Sequence, residues 1–291
     1  MAGKIVCIDL GGTKALCGVA CQGVVSNVAR YPVPADASKQ EVTHFLIELI
    51  SHTLSDECDG IAIGIPGVVD SDLGYVFEVT NIPSWRNIYL SHILQKRFNV
   101  PVLVHNDVNC FAYGEYKYGA HFDRGRPCHT ILGVCLGTGL GAGVVIDGKI
   151  YTGRQGLAGE FGSAPYLQRT IEDYCSGQFF RNLGTDGERE YALAVAGDKR
   201  ALDLFAQLGN HLGVAIAHMQ LAYDPDVIVL GGSVSNSYHL FESAMRTRFA
   251  QYEQGEHVAI NISSLSHSPL IGACELFYQR YGAEVVRAEL V

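Results

Sequence analysis

The sequence predicts an α/β protein made of two related halves, and three observations carry that expectation. Apolar runs short enough for strands, each bounded by glycine, alternate with stretches of helical period. The same order of segments occurs twice: a meander with a glycine turn, then helices alternating with buried strands. The length of 291 residues accommodates one large or two medium domains with substantial cores.

The elements follow in order. KIVCIDL (4–10) is an apolar run ending in Asp9-Leu10 before Gly11-Gly12-Thr13, and ALCGVA and GVVSNVARYPV continue it as an antiparallel meander. Residues 38–54 then change period, with Val42, Phe45, Leu46, Leu49, Ile50 and Leu54 on one helical stripe and Ser38 with Glu41 as a capping box. GIAIGIPG (60–67) is strand ending in a Gly-Pro-Gly turn. A helix is expected over about 88–98, with Leu90, Ile93, Leu94 and Phe98 inward. PVLVHND (101–107) is a further strand, followed by an aromatic-rich helix. The pattern restarts at HTILGVCLGTGLGAGVVIDGKIYTG (129–153). A long helix over 198–222 carries Leu202, Phe205, Leu208, Leu212, Ala215, Ile216, Met219 and Ala222 on its stripe, and DPDVIVLGG (224–232) supplies a turn, a buried strand and a Gly-Gly stop. No low-complexity linker separates the halves. Two domains facing across a cleft are expected, at 1–118 and 119–273, with a C-terminal helix of about 274–291 packing back onto the first.

Composition removes several function classes. Hydrophobic residues make up 48% and charged residues 18%, as in a globular chain, and the formal charge of −9 comes without any Lys/Arg-rich run. Nucleic acid, which needs a basic surface to displace counterions, is not an expected partner. Nothing reaches about 18 consecutive apolar residues, so no membrane span is expected, and MAGKIVCIDLGG has too short an apolar run for a signal peptide. Nine cysteines without CxxC pairs suit free thiols in a reducing cytoplasm, and Cys17 and Cys21 read as small buried residues of a strand.

DLGGTK (9–14) and LGTGLGAG (136–143) are the strongest local signals. A strand ending in such glycines exposes backbone N–H groups with no Cβ in the way, a nest for phosphate oxygens to which threonine hydroxyls and Lys14 add donors. A tight hairpin turn explains a lone pair of this kind equally well. Two of them, each after a buried strand in a repeated half, strengthen the phosphate reading. Neither has Walker spacing, and no GxGxxG opens a helix after the first strand. VIVLGGSVS (227–235) is a third strand running into glycines, flat enough for a nucleobase to approach. In VHNDVN (104–109), Asp107 stands where a strand ends and a helix begins. It reads either as a helix N-cap or as the base that phosphoryl transfer to an alcohol requires.

The ordered set DLGGTK, GIPG, NIPSW, NDVNC, LGTGLGAG, GEFG, IEDYCSG and DPDVIVLGG resembles the ROK family (repressor, open reading frame, kinase) over nearly the whole chain. The resemblance implies an actin-like ATPase fold of two RNase H-like domains, with a sugar and ATP bound between them. It implies nucleotide contacts from Asp9, Gly11, Gly12, Thr13 and Lys14, from Gly137, Thr138, Gly139 and Gly141, and from Gly231 and Gly232. The sugar contacts it implies are Gly67, Asn81, Asn106, Asp107, Glu160 and Glu172, with Asp107 as the base on the 6-hydroxyl. ATP with Mg²⁺ is the implied cofactor set, and a homodimer is implied as well.

One departure stands out. Family members usually carry a histidine after the GEFG-like motif and then a zinc-binding CxCGxxGC loop. Here Ser163 holds the histidine position and SAPYLQR the place of the cysteine loop, whereas TIEDYCSG retains the glutamate and the Ser-Gly. Segment 159–177 offers one cysteine, no histidine and two glutamates, so no zinc is expected. The expected activity is ATP-dependent phosphorylation of a hexose or N-acetylhexosamine, with glucose, N-acetylmannosamine and N-acetylglucosamine foremost because NIPSWRNIYL resembles glucokinases and N-acetylmannosamine kinases more than fructokinases. The alternative within the family is a sugar-responsive transcriptional regulator. It is disfavoured because the first phosphate strand begins at about residue 4, leaving no room for a DNA-binding segment ahead of it. A sugar-binding protein without catalysis is a third reading, set against the intact Asp107 and glycine turns.

Overall fold

The first apolar run becomes a central strand because it is buried on both faces and flanked by partners of both kinds. In the computed structural model, which describes residues 3–119, 128–252 and 258–282, β1 (Lys4–Leu10) pairs antiparallel with β2 (Lys14–Cys21) and parallel with β4 (Cys58–Ile65). β3 (Val24–Pro32) extends the meander. Between β3 and β4 lies α1 (Lys39–Thr53), opened by the expected Ser38–Glu41 capping box and burying Val42, Leu46, Leu49 and Ile50. After β4, the strands β5 (Gly67–Asp70), β6 (Tyr75–Val79) and β7 (Arg86–Tyr89) form a small antiparallel sheet. Next come α2 (Leu90–Phe98), β8 (Val102–Asn106) and α3 (Asp107–Tyr118), which complete a sheet of order β3-β2-β1-β4-β8.

The second half repeats this plan. β9 (Thr130–Leu136), β10 (Leu140–Ile146) and β11 (Lys149–Ile150) make the meander. A hairpin of β12 (Pro165–Tyr166) and β13 (Arg169–Thr170) leads to the short helices α4 (Ile171–Cys175), α5 (Gly177–Asn182) and α6 (Gly187–Val195). The long α7 (Lys199–Tyr223), β14 (Val227–Gly231), α8 (Tyr238–Phe249) and β15 (Ala259–Ile262) follow, giving a sheet of order β11-β10-β9-β14-β15. In both sheets the central strand has an antiparallel partner on one side and a parallel one on the other.

Backbone contacts divide the chain into one unit of Met1–Ala120, Thr152–Ala158 and Leu265–Val291 and another of His121–Tyr151 and Gly159–Ser264. These bounds differ from a simple cut near 118 and 273. Residues 152–158 join the first unit, as does the whole of α9 (Ser268–Tyr281), which begins earlier than about 274; residues 283–291 lie outside the described ones. The reason is packing of helix α9 on α3. A Cβ at Gly114 or Gly272 would collide with backbone of the facing helix, so these glycines permit the close approach. Ser268 Oγ also donates to Phe111 O at 3.1 Å.

Three positions expected inward face solvent instead. Ile93 and Leu202 are each 38% exposed, and Ala222 is exposed as well. Ile93 lies in the first turn of α2 and Leu202 and Ala222 near the two ends of α7, so helical period alone overstated the buried stripe there.

Candidate active site

Within the first unit, β1 carries Asp9 to the edge of a turn that Gly11 N closes by donating to Lys14 O at 2.9 Å. Thr13 and Lys14 are exposed beyond it. Asn81 lies so close that a Cβ on Gly12 would collide with its side chain. The expected sugar contact Asn81 and the expected phosphate turn are therefore neighbours. Removal from water pushes the Asp9 carboxyl up to about 6, against the pull of the Lys14 charge.

At the end of β8, the helix cap is Asn106 and not Asp107. Asn106 Oδ1 accepts from Asn109 N at 2.9 Å, while Nδ2 donates to Gly67 O at 3.2 Å. One amide hydrogen and one lone pair remain available for a ligand. Asp107 is the first residue of α3, half-buried, with Oδ1 accepting from Val108 N at 2.9 Å. A carboxylate in a first helical turn is stabilised by the dipole of the helix. Because capping is done by its neighbour, the cap reading of Asp107 falls. Gly67 opens β5, where a Cβ would strike Glu78 O. Trp85 of the NIPSW motif is fully buried and donates its indole N–H to Lys39 O at 3.3 Å, so it anchors the start of α1.

In the second unit, Gly137 N donates to Gly139 O at 3.0 Å, closing the turn between β9 and β10. A Cβ on Gly137 would meet nothing within 4 Å, so this side of the turn is open. Thr138 is exposed at its tip, and Gly141 stands beyond it in β10, paired with Cys135. Glu172 of α4 turns its carboxylate onto the turn. Its Oε2 accepts from Leu140 N at 3.3 Å and occupies the space that a Cβ on Gly139 would need. Ser176 Oγ lies 2.7 Å from Glu172 O and 2.9 Å from Thr138 O, and Gly177 N donates to Gly137 O at 2.8 Å. The retained Ser-Gly thus ties α4 to the glycine turn, a role that the motif itself did not disclose.

Glu160 is half-buried just ahead of a 3₁₀ turn at Phe161–Ser163. Removal from water, and then the charge of Glu172, raise its carboxyl above the ordinary range. Gly231 ends β14 beside Cys135, and Gly232 has φ +86° with Leu136 O where a Cβ would fall, so only glycine fits there. Among the described residues, no group of three or more His, Cys, Asp or Glu is placed to hold a metal ion. A cavity of about 510 Å³ opens in the first unit between the β5–β6 hairpin and residues 152–157, and none of the expected site residues lines it.

Against known proteins, the model of the ROK family matches residues 5–280. The chain belongs to the ROK family. It is 31% identical to the N-acetyl-D-glucosamine kinase of Haemophilus influenzae over 81% of this chain and 86% of that one. It is 25% identical to the glucokinase of Thermotoga maritima over 96% and 98%. Among solved structures, a ROK family glucokinase from Streptomyces griseus in complex with glucose and AMPPNP superposes with a TM-score of 0.81 at 26% identity, covering 94% of this chain and 99% of that one. The ROK hexokinase of Thermus thermophilus gives 0.79 at 26% identity over 95% and 99%. The fold is that of the actin-like ATPases, with two α/β domains.

Proposed function

We propose that this protein moves the terminal phosphoryl group of ATP to the 6-hydroxyl of a gluco- or manno-configured hexose or N-acetylhexosamine. The chain is a sugar kinase. The choice of sugar rests on relatives named glucokinase and N-acetyl-D-glucosamine kinase. The observation that carries the mechanism is the placement of Asp107, a half-buried carboxylate at a helix start that its neighbour already caps.

In this reading Asp107 accepts the proton of the 6-hydroxyl as that oxygen attacks phosphorus. Asn106 and Asn81 orient hydroxyls with their free amide valences, together with the Gly67 backbone. Glu160 and Glu172 accept from other hydroxyls and so select configuration. The backbone N–H groups of Gly12 and Thr13, with Lys14, hold phosphate oxygens, and so does that of Thr138; Gly11 and Gly137 close the two turns with their own N–H groups, and Gly139 and Gly141 shape the second turn. Gly231 and Gly232 leave room for the nucleoside. Most of the rate then comes from positioning and charge stabilisation.

Asp9 fits a divalent cation that arrives on the nucleotide: it is a carboxylate partly withdrawn from water, beside the turn, and an approaching cation favours its charged form. A single carboxylate suits Mg²⁺, which keeps several waters and is held largely through phosphates. The ion would neutralise charge developing on the transferred group. No zinc enters the proposal, and the protein is read as a cytoplasmic homodimer. Among the described residues no helix is long and apolar enough to cross a membrane.

The test is ADP release, measured with glucose, mannose, N-acetylglucosamine, N-acetylmannosamine, fructose and allose. Turnover is expected with a gluco- or manno-configured pyranose. Turnover with fructose alone, or none with any of them, defeats the proposal.

A further inference from the structure

Glu172 rides on a helix too short to hold itself. α4 has five residues, fewer than a lone helix needs for stability in water. What fixes it must come from its surroundings. A capping box at one end, in which Thr170 Oγ1 donates to Asp173 Oδ2 at 2.8 Å, and Ser176 at the other set its ends. Ser176 also reaches Thr138 O of the glycine turn, and Ile171 and Cys175 pack into the core of the unit, which leaves the aromatic side of α4 and the hairpin before it.

These meet at one imidazole. His211 of α7 meets the hairpin, α4 and α5 together: its ring centroid lies 5.8 Å from that of Tyr166, 5.0 Å from Tyr174 and 6.2 Å from Phe179. Tyr166 and Tyr174 in turn pack edge to face at 5.5 Å. The Tyr166 hydroxyl lies 3.2 Å from His211 Nδ1. Burial, then the nearby Arg248 charge, lower the pKa of His211, so the ring stays neutral and Nδ1 can accept from tyrosine. α7 is the rigid member, since its apolar face lies in the core of the unit from Ala201 to Met219. The hairpin has only two residues in each strand, and its turn residue Leu167 has φ +52° and is 64% exposed.

We propose that His211 is a positioning residue for phosphoryl transfer, fixing the Tyr166 hairpin and α4 to the long helix and so holding the Glu172 carboxylate where the sugar needs it. The inference rests on the reading of Glu172 as a sugar contact. It predicts a particular pattern of coupling. Loss of the ring should act on the sugar through Glu172 and leave the nucleotide alone, because the glycine turn keeps its own backbone closure and its bonds to Ser176 and Gly177, none of which involves the ring.

The experiment compares His211→Ala, Tyr166→Phe, Glu172→Gln and the double variant His211→Ala/Glu172→Gln in steady-state kinetics. Glu172→Gln and His211→Ala should each raise the sugar KM about tenfold with the ATP KM within about twofold. The double variant should be no more than about twofold worse than Glu172→Gln alone, since contacts that act through one group are not additive. Tyr166→Phe keeps the rings and loses one hydrogen bond; a rise of about threefold in sugar KM is expected, and this variant serves if His211→Ala folds poorly. If Glu172→Gln leaves the sugar KM unchanged, the sugar contact itself is wrong and the inference goes with it. If Glu172→Gln acts but the His211 and Tyr166 variants do not, or if their effects multiply with it, His211 is overturned and the Glu172 reading stands. A fall in thermal midpoint with both KM values unmoved also overturns His211, reducing it to a packing residue.

Discussion

At the first glycine turn an amide, Asn81, lies against Gly12; at the second a carboxylate, Glu172, lies against Gly139 and takes a hydrogen bond from Leu140 N. The backbone plan around the two is the same, a buried central strand, a glycine turn and an antiparallel return. Their electrostatics differ. An amide can remain beside a phosphate, donating to it. A carboxylate and a phosphate repel, by about 4 kcal/mol per pair of unit charges at 4 Å and an effective dielectric of 20. The second turn must therefore divide its length: the open side of Gly137 and the exposed Thr138 suit phosphate, while the Gly139–Leu140 side belongs to Glu172 and the sugar. In the first unit the fixed negative charge sits instead at the strand end, in Asp9.

The comparison extends to the strand ends. β8 delivers Asn106 and Asp107 into a helix, whereas its counterpart β15 ends at Ile262 and runs on to Ser263 and Ser264 without a carboxylate. Chemistry is thus concentrated in the first unit. Asp107→Asn is the strongest way to break that assignment. It should lower kcat by at least about 10² and leave sugar affinity within about tenfold, because an amide can still hydrogen-bond but cannot take the proton. Turnover near that of the wild type would remove the base from the first unit.

Asp9 offers the next largest effect. Its folded carboxyl titrates at about 6 against an ordinary 3.8, so between those values the folded protein holds a proton that the unfolded chain has released. Stability contributed at low pH is then lost as pH rises through 4 to 6, by up to about 3 kcal/mol for the whole shift. In nucleotide-free protein, Asp9→Asn should flatten this fall and be the more stable form at pH 7. A denaturant titration series across pH 4–7 that shows equal slopes for both proteins would refute the strained carboxylate.

The glycines sharpen the division of the second turn. Gly137→Ala enters open space, so the fold should be unaffected and any loss reports on ligand: about a tenfold rise in ATP KM is expected with the sugar KM unchanged. Gly139→Ala should do the reverse, because its methyl displaces the Glu172 carboxylate. Gly12→Ala strikes Asn81 and should affect both. If Gly137→Ala is silent, that turn is a hairpin and nothing more.

Much of this was legible beforehand because it rests on period and on glycine. The repeated strand-turn-strand order foretold both sheets, and the Ser38–Glu41 box marked the start of α1. The ends of the elements were less legible. Ile93 and Leu202 fit a helical stripe but are 38% exposed, because burial depends on tertiary layout and not on period alone. A C-terminal helix returning to the first unit was expected, but not its start at Ser268 or the close approach that Gly114 and Gly272 permit, which is evident only once two helices touch. At the site, the strand end could nominate Asp107 and the family resemblance Glu172. It could not reveal that Asn106 takes the cap or that Glu172 faces the glycine turn, because both are matters of side-chain direction.

The smallest expected effect is an absence of one. The second unit must fix α4, and a metal is one means of doing so. Cys175 is the cysteine closest to Glu172 in sequence, yet it is fully buried and that burial raises its thiol far above the ordinary range. Metal binding requires the thiolate, so this sulfur is held in the wrong form. The anchoring instead comes from the Thr170–Asp173 box, Ser176 and the aromatic contacts on His211. Chelators would also remove Mg²⁺ and stop turnover, so activity is the wrong readout. Thermal unfolding of nucleotide-free protein is the right one, and o-phenanthroline or EDTA should shift its midpoint by less than about 1 °C, since a ΔΔG near zero moves it little. Elemental analysis should find no stoichiometric zinc. About one zinc per chain, together with a midpoint that drops by several degrees on chelation, would show that the second unit relies on a metal after all and that the contacts around His211 are secondary to it.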